Sequence, residues 1–297
     1  MKHFKKMQFI PVMIMATLVF MLAVPTVALA AEAPVGLGTA GSYAVLAGET
    51  ITNTGPTTVT GDIGLHPGTD FTGQADVTIL DGTVHLTDAA ALQAKSDLAV
   101  AYDDAAGRAV TQDLTDQDLG GLTLTPGVYH FSSSAGLTGN LILDAQGDPN
   151  GVFIFQIGSE LTTASGSSVS LLNGARFCRV FWQVGSSATL GTGSSFVGHI
   201  FALQSITATT GATVQGQLLA RNGAVTLDTN TITNGFCANV AVDNTPNTSQ
   251  AVTETVTGGE LPKTATPWYT IFLIGFALTL IGIVFWVVST KKRNLNR

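Results

Sequence analysis

Few residues in this sequence have the spacing that catalysis needs. His66, His85, His130 and His199 stand singly, and no pair has the spacing of metal ligands. Asp113, Asp116 and Asp118 bring three carboxylates together, but without the glycine spacing of a calcium loop they read as a solvated acidic loop. Asp103-Asp104 falls in a helical stretch, and Arg176, Arg179 and Arg221 have no evident acidic companion, so the clustered groups that cleave polysaccharides are not found. No Gly-x-Ser-x-Gly elbow occurs. Gly36-Leu37-Gly38-Thr39-Ala40-Gly41 has the spacing of a dinucleotide fingerprint, yet Ser42 to Thr52 alternates as a strand where that fingerprint must open a helix. No enzyme, cofactor or metal is expected. The side chains that do recur in register are hydroxyls.

These hydroxyls belong to a repeat. Ser187 to Gly198 reads SATLGTGSSFVG, Ser205 to Gly216 reads SITATTGATVQG, and Gly223 to Asn234 reads GAVTLDTNTITN, at steps of 18 residues. Phe196, Val214 and Ile232 fall in register, as do Ser195, Thr213 and Thr231. An earlier copy, Ser159 to Val169, lies 27 residues before the first, as if one coil carried an insertion. Short alternating strands with Gly or Asn at the corners, repeated at a fixed step, describe a β-solenoid. Alternation then turns the apolar column inward and the Ser/Thr column outward. One segment departs from this pattern. In Asp88 to Ala106, Ala91, Ala94, Leu98, Ala101, Tyr102 and Ala105 form a stripe at helical spacing, with Thr87 suited to cap the start and Gly107 to stop the end. The expected fold is all-β with one long helix packed along a solenoid face.

The two ends carry different information. Lys2, Lys5 and Lys6 precede an apolar run from Phe9 to Leu29, and Ala28-Leu29-Ala30 supplies small residues for cleavage before Ala31. Residues 1–30 read as a secretory signal peptide, the alternative being an N-terminal membrane anchor. Ile271 to Val288 is apolar and long enough to cross a bilayer, and Lys291, Lys292, Arg293 and Arg297 follow it. Before it stands Leu261-Pro262-Lys263-Thr264-Ala265. The arrangement of pentapeptide, transmembrane segment and basic tail over residues 261–265 and 266–297 resembles a sortase sorting signal, although the commonest pentapeptide ends in Gly where Ala265 stands. That resemblance implies cleavage between Thr264 and Ala265, with sortase, peptidoglycan and, before sorting, the membrane as partners in a Gram-positive bacterium. A plain single-pass anchor is the alternative. Residues 238–260 have no core pattern and read as a linker, leaving 31–237 as one domain.

Residues 31 to 264 hold all twenty acidic residues against six basic ones, a net charge near −14 that repels phosphate backbones and excludes nucleic acid as a partner. In an exported chain, Cys178 and Cys237 are expected to form a disulfide. The loop of about 60 residues would stabilise the fold by roughly 4 kcal/mol.

Five passages carry a further resemblance: Leu37 to Gly64, Leu124 to Phe131, Asp148 to Thr163, Phe181 to Thr207 and Leu218 to Thr233. In order, they resemble the bacterial ice-binding-like domain family. The resemblance implies a right-handed β-solenoid of triangular section, a helix alongside, and ice or ordered water as the ligand of a flat Thr-rich face. Thr offers a methyl group and a hydroxyl, held stiff by its branched Cβ. The residues expected on that face are Thr189, Thr192, Ser195, Thr207, Thr210, Thr213, Thr229 and Thr231, all taken to share one side of the coils. Val225, Val197 and Gln215 leave the ladder incomplete. The expected function is a cell-wall-anchored ice-binding protein or ice adhesin; the alternative is a wall-anchored adhesin or structural surface protein of the same fold without ice activity.

Overall fold

The computed structural model describes residues 32–235. The expected signal peptide and linker, Cys237, the pentapeptide and the apolar span lie outside these residues. Among the described residues, no helix is long and apolar enough to cross a membrane.

The domain is built from short parallel strands and one α-helix, α1 (Ala89–Ala106). The chain passes alternately through two sheets. A seven-stranded sheet takes, in spatial order, Ala135–Leu137, Leu161–Thr163, Ala188–Leu190, Ile206–Ala208, Val225–Asp228, Thr50–Thr54 and Asp70–Thr72. The remaining fifteen strands form the second sheet, in which Ser195–Ala202 and Thr213–Ala220 run side by side over their whole length. Gly198 and Gly216 are register partners at positive φ in these two strands, and a Cβ on Gly216 would lie 2.0 Å from the Gly198 carbonyl oxygen. Only glycine fits that approach.

Expected register is met where the repeat is regular. Ser195, Thr213 and Thr231 are neighbours in the second sheet, as are Phe196, Val214 and Ile232, which are buried. The 27-residue step is also present, since Thr162 pairs with Thr189 and Ser168 with Ser195.

The coils are not stacked in chain order. The strand Thr57–Thr60 pairs with Thr231–Thr233, and Thr50–Thr54 pairs with Val225–Asp228, so the first coils lie beside the last. Helix α1 follows the strand Val84–Leu86 at one end of the stack and precedes Gln112–Asp113 at the other. Its 18 residues span about 27 Å at about 1.5 Å per residue, which lets it carry the chain between those ends.

The expected helical stripe is the buried one: Ala91, Ala94, Leu98, Ala101, Tyr102 and Ala105. The cap differs from expectation. Asp88 caps the helix, its carboxylate accepting from the Ala91 amide at 2.8 Å, while Thr87 sits at φ 53° as the turn out of the preceding strand. Glutamines from the sheet fasten the helix and the N-terminal segment. Gln156 donates to the Ala105 and Arg108 carbonyls, Gln183 donates to the Tyr102 hydroxyl, and Gln217 donates to the Ala40 carbonyl. Inside the coils an aromatic column runs Tyr129, Phe155, Trp182, Phe196, with the Phe155 and Trp182 rings stacked at 3.8 Å.

Candidate functional site

The groups with conventional chemistry are dispersed. The Asp113 carboxylate accepts from the Thr115 amide, and Asp118 accepts from the amides of Gly120 and Thr138, so these aspartates shape loops. Among the described residues no cluster of three His, Cys, Asp or Glu side chains is placed to hold a metal. His85 bonds Asp88, and His199 is buried between Phe177 and Phe181. Arg221 has an acidic companion after all: Asp103, at 3.0 Å. The fingerprint-like segment forms a short 3-10 helix, Gly38–Ser42, pinned to α1 by Thr39 donating to Asp97. Cys178 is disulfide-bonded; Cys237, its expected partner, lies outside the described residues.

What is organised is hydroxyl. On the second sheet, five adjacent strands bring ten residues into two register columns, exposed or half-buried except for Val197, which is buried in the core. The first is Ser195, Thr213, Thr231, Thr58 and Thr78; the second is Val197, Gln215, Thr233, Thr60 and Leu80. No ionisable side chain stands in either column. Strand neighbours are about 4.8 Å apart and alternate residues along a strand about 6.6 Å, so ten side chains make a two-dimensional lattice. A shallow trough of about 250 Å³ is lined by both columns, with Phe196 and Val214 between them. The hydroxyls of Thr58, Thr60, Thr78, Thr231 and Thr233 have no partner among the described residues and are left for water. Farther along, the sheet loses this character: Ser168 and Ser170 both donate to Asn140, which ties up their hydroxyls.

The expected face is corrected in two respects. First, the eight residues do not share one side. Ser195, Thr213 and Thr231 are in these columns, but Thr189 and Thr207 lie in the seven-stranded sheet. Thr192, Thr210 and Thr229 are at the corners between the sheets, where Thr210 donates to the Asp228 carboxylate at 2.5 Å. Second, Val225 does not interrupt a ladder. It is fully buried, and Thr226 is the register partner of Thr207.

Sequence reasoning missed Thr58, Thr60, Thr78 and Thr233. Thr57-Thr58-Val59-Thr60 shows the right alternation, but nothing local reveals that it adjoins Thr231.

Residues 45–233 match the family described as Ice-binding-like. A protein of Nostoc named "Ice-binding protein" is 55% identical over 67% of this chain and 73% of its own length. One from Colwellia with the same name is 37% identical over 67% of this chain and 83% of its own. Among solved structures, an ice binding protein from an Antarctic biological consortium matches at TM-score 0.66 and 49% identity, covering 68% of this chain and 92% of that one. The family and its fold are non-enzymatic. With parallel sheets and a packed helix among its described residues, the chain belongs to the ice-binding-like family.

Proposed function

We propose that the protein binds ice through the two-column face of the second sheet, and that the domain is a right-handed β-solenoid. The observation that carries the reading is the lattice of Ser195, Thr213, Thr231, Thr58 and Thr78 beside Val197, Gln215, Thr233, Thr60 and Leu80. A flat array of uncharged, stiff side chains holds ordered water that merges with the crystal, the methyl groups excluding bulk water and the hydroxyls anchoring the ordered layer. Relatives that bear the name ice-binding protein support the assignment.

The chain is further proposed to be exported and joined at Thr264 to the wall of a Gram-positive bacterium, on the sequence of residues 1–30 and 261–297. Val197, Gln215 and Leu80 interrupt the hydroxyl lattice, which favours the second reading, a wall-displayed adhesin or structural protein without ice activity.

The test is Thr213→Tyr, read by thermal hysteresis and ice-affinity partition. A ring on the flat face is expected to lower ice adsorption at least tenfold with an unchanged melting temperature, since an outward site adds no buried volume. Undiminished adsorption would show that this face is not the site. A parent without hysteresis would favour the second reading. For the anchor, Thr264→Ala is expected to shift the protein from the peptidoglycan fraction to membrane or medium; an unchanged wall fraction refutes it.

A further inference from the structure

We propose that one end of the coil stack is a docking edge for an extended cationic segment of a partner protein, which adds as a further strand to Val77–Leu80. The site stands apart from the ice-binding face. Three strands, Asp70–Thr72, Val77–Leu80 and Val84–Leu86, end the stack here, and each has a strand neighbour on one side only. Alternate amides and carbonyls along them therefore point away from the stack without a sheet partner. The Leu80 carbonyl is bonded inward, to the Gly61 amide, so on that strand the free set belongs to Val77 and Ile79.

The core itself is open at this end. Phe71, Ile79, Val84 and Leu86 are the register partners of Ile51, Val59, Ile63 and Leu65 on the next coil. Those four partners are fully buried, whereas the end residues are only half-buried, so each keeps apolar surface in water. The opposite end is closed. There Leu114 and Leu119, between the strands Gln112–Asp113 and Thr123–Leu124, are buried in the core. Apolar surface beside free backbone groups is what an added strand completes, its main chain giving affinity and its alternate side chains extending the core.

Charge selects the occupant. Asp76 and Asp81 flank Val77–Leu80, and Asp70 opens the neighbouring strand; all three are exposed, and residues 32 to 94 contain no Lys or Arg. A second copy stacked end to end would set these carboxylates against their own kind, which destabilises a strand pair. A partner strand running parallel, as its neighbours in the sheet do, places apolar residues beside Val77 and Ile79. A Lys or Arg just beyond each end then meets Asp76 and Asp81, which five residue steps of about 3.3 Å set about 17 Å apart.

Fluorescence anisotropy of a labelled peptide, Lys-Val-Thr-Val-Thr-Lys, titrated with the exported protein tests this, beside Glu-Val-Thr-Val-Thr-Glu. The lysine peptide is expected to bind roughly tenfold more tightly than the glutamate peptide, since the latter exchanges two attractions for two repulsions. Asp76→Asn combined with Asp81→Asn should weaken the lysine peptide about fivefold, the loss of two exposed ion pairs. Asn suits the left-handed backbone at Asp81, φ 49°, so the fold is kept. Two further lysine peptides, one methylated on its valine amides and one on its threonine amides, separate strand addition from attraction by charge alone. One should bind as the unmethylated peptide does and the other roughly tenfold more weakly, because a single set of alternate amides meets the edge. Equal binding by both, no binding by the lysine peptide, or unchanged affinity in the double variant overturns the proposal. So does a protein that sediments as a dimer and takes up neither peptide, which gives the end to a second copy.

Discussion

Thr207 pairs with Thr226, nineteen residues on, whereas Thr213 pairs with Thr231, eighteen residues on. One extra residue therefore enters before Val225, in the corner Arg221–Ala224, and is given back before Thr231. The corner that returns it contains Thr229 at φ 53°. At the equivalent corners of the neighbouring coils the left-handed residue is Gly193, Gly211 or Gly55. A β-branched residue is out of place in that conformation.

Thr229→Gly is accordingly expected to stabilise the domain by about 1 kcal/mol, because the left-handed cost to a side chain exceeds the extra chain entropy of glycine. Its hydroxyl bonds only the half-buried Asp228 carboxylate, which also accepts from Thr210, so little is lost. Thermal denaturation checks it: a rise of about 2–4 °C is the expectation for a domain of this size, and a fall would show that the Thr229 side chain is holding the corner.

That one-residue adjustment explains what the sequence conceals. The columns through Ser195, Thr213 and Thr231 were legible because successive coils keep one step and the apolar partner of each is its chain neighbour. The helix was legible because its alanine stripe and Gly107 are local signals. Thr226 was hidden, since a shift of one residue exchanges inward for outward positions and no feature of Arg221–Ala224 announces it. The adjacency of Thr58 and Thr231, 173 positions apart, is set by how α1 returns the chain, which no local pattern encodes. Between Thr87 and Asp88 composition gives no preference for the cap; the Thr87 amide bonds the Leu65 carbonyl and completes the strand, which leaves Asp88 to the helix.

Trp182→Ala should be among the most damaging substitutions. The ring is fully buried, stacks on Phe155, tilts against Phe196 and donates to the Val197 carbonyl at 3.0 Å. Loss of the ring leaves a cavity between coils and an unsatisfied acceptor, at about 3–5 kcal/mol. Because Phe196 and Val197 lie in the strand of the proposed ice face, hysteresis should fall along with stability. A urea midpoint within error of the parent would contradict this.

Cys178 is disulfide-bonded, and the only other cysteine in the chain is Cys237. Their pairing would hold the segment after Gly235 to the 3-10 helix Phe177–Arg179, where Phe177 already lies against Gly235. The exported protein is expected to show no reactive thiol before reduction, and reduction should cost roughly 4 kcal/mol by the chain-entropy account. Two thiols labelled without reductant or denaturant would refute the pairing.

His199 gives the domain a defined acid sensitivity. Its ring is buried against Phe177 and Phe181, and its Nδ1 has no hydrogen-bond partner. Burial pushes the imidazole down to about 4 from its ordinary 6.5. Below pH 6.5 the unfolded chain takes up a proton at this site, while the folded chain refuses it until about pH 4. The unfolded state thus binds more protons across that window, and stability falls as pH drops from about 6.5 to about 4, then levels off. The loss is on the order of 3 kcal/mol. Asp88 and Asp97, both held low by hydrogen bonds from backbone amides first, lose most of their stabilisation below their ordinary 3.8, at the acid edge of this window. Urea midpoints at pH 7 and pH 4.5 should therefore differ in the parent and converge in His199→Leu, which keeps the site apolar and removes the titration. An equal pH dependence in both proteins would assign the acid sensitivity to other groups.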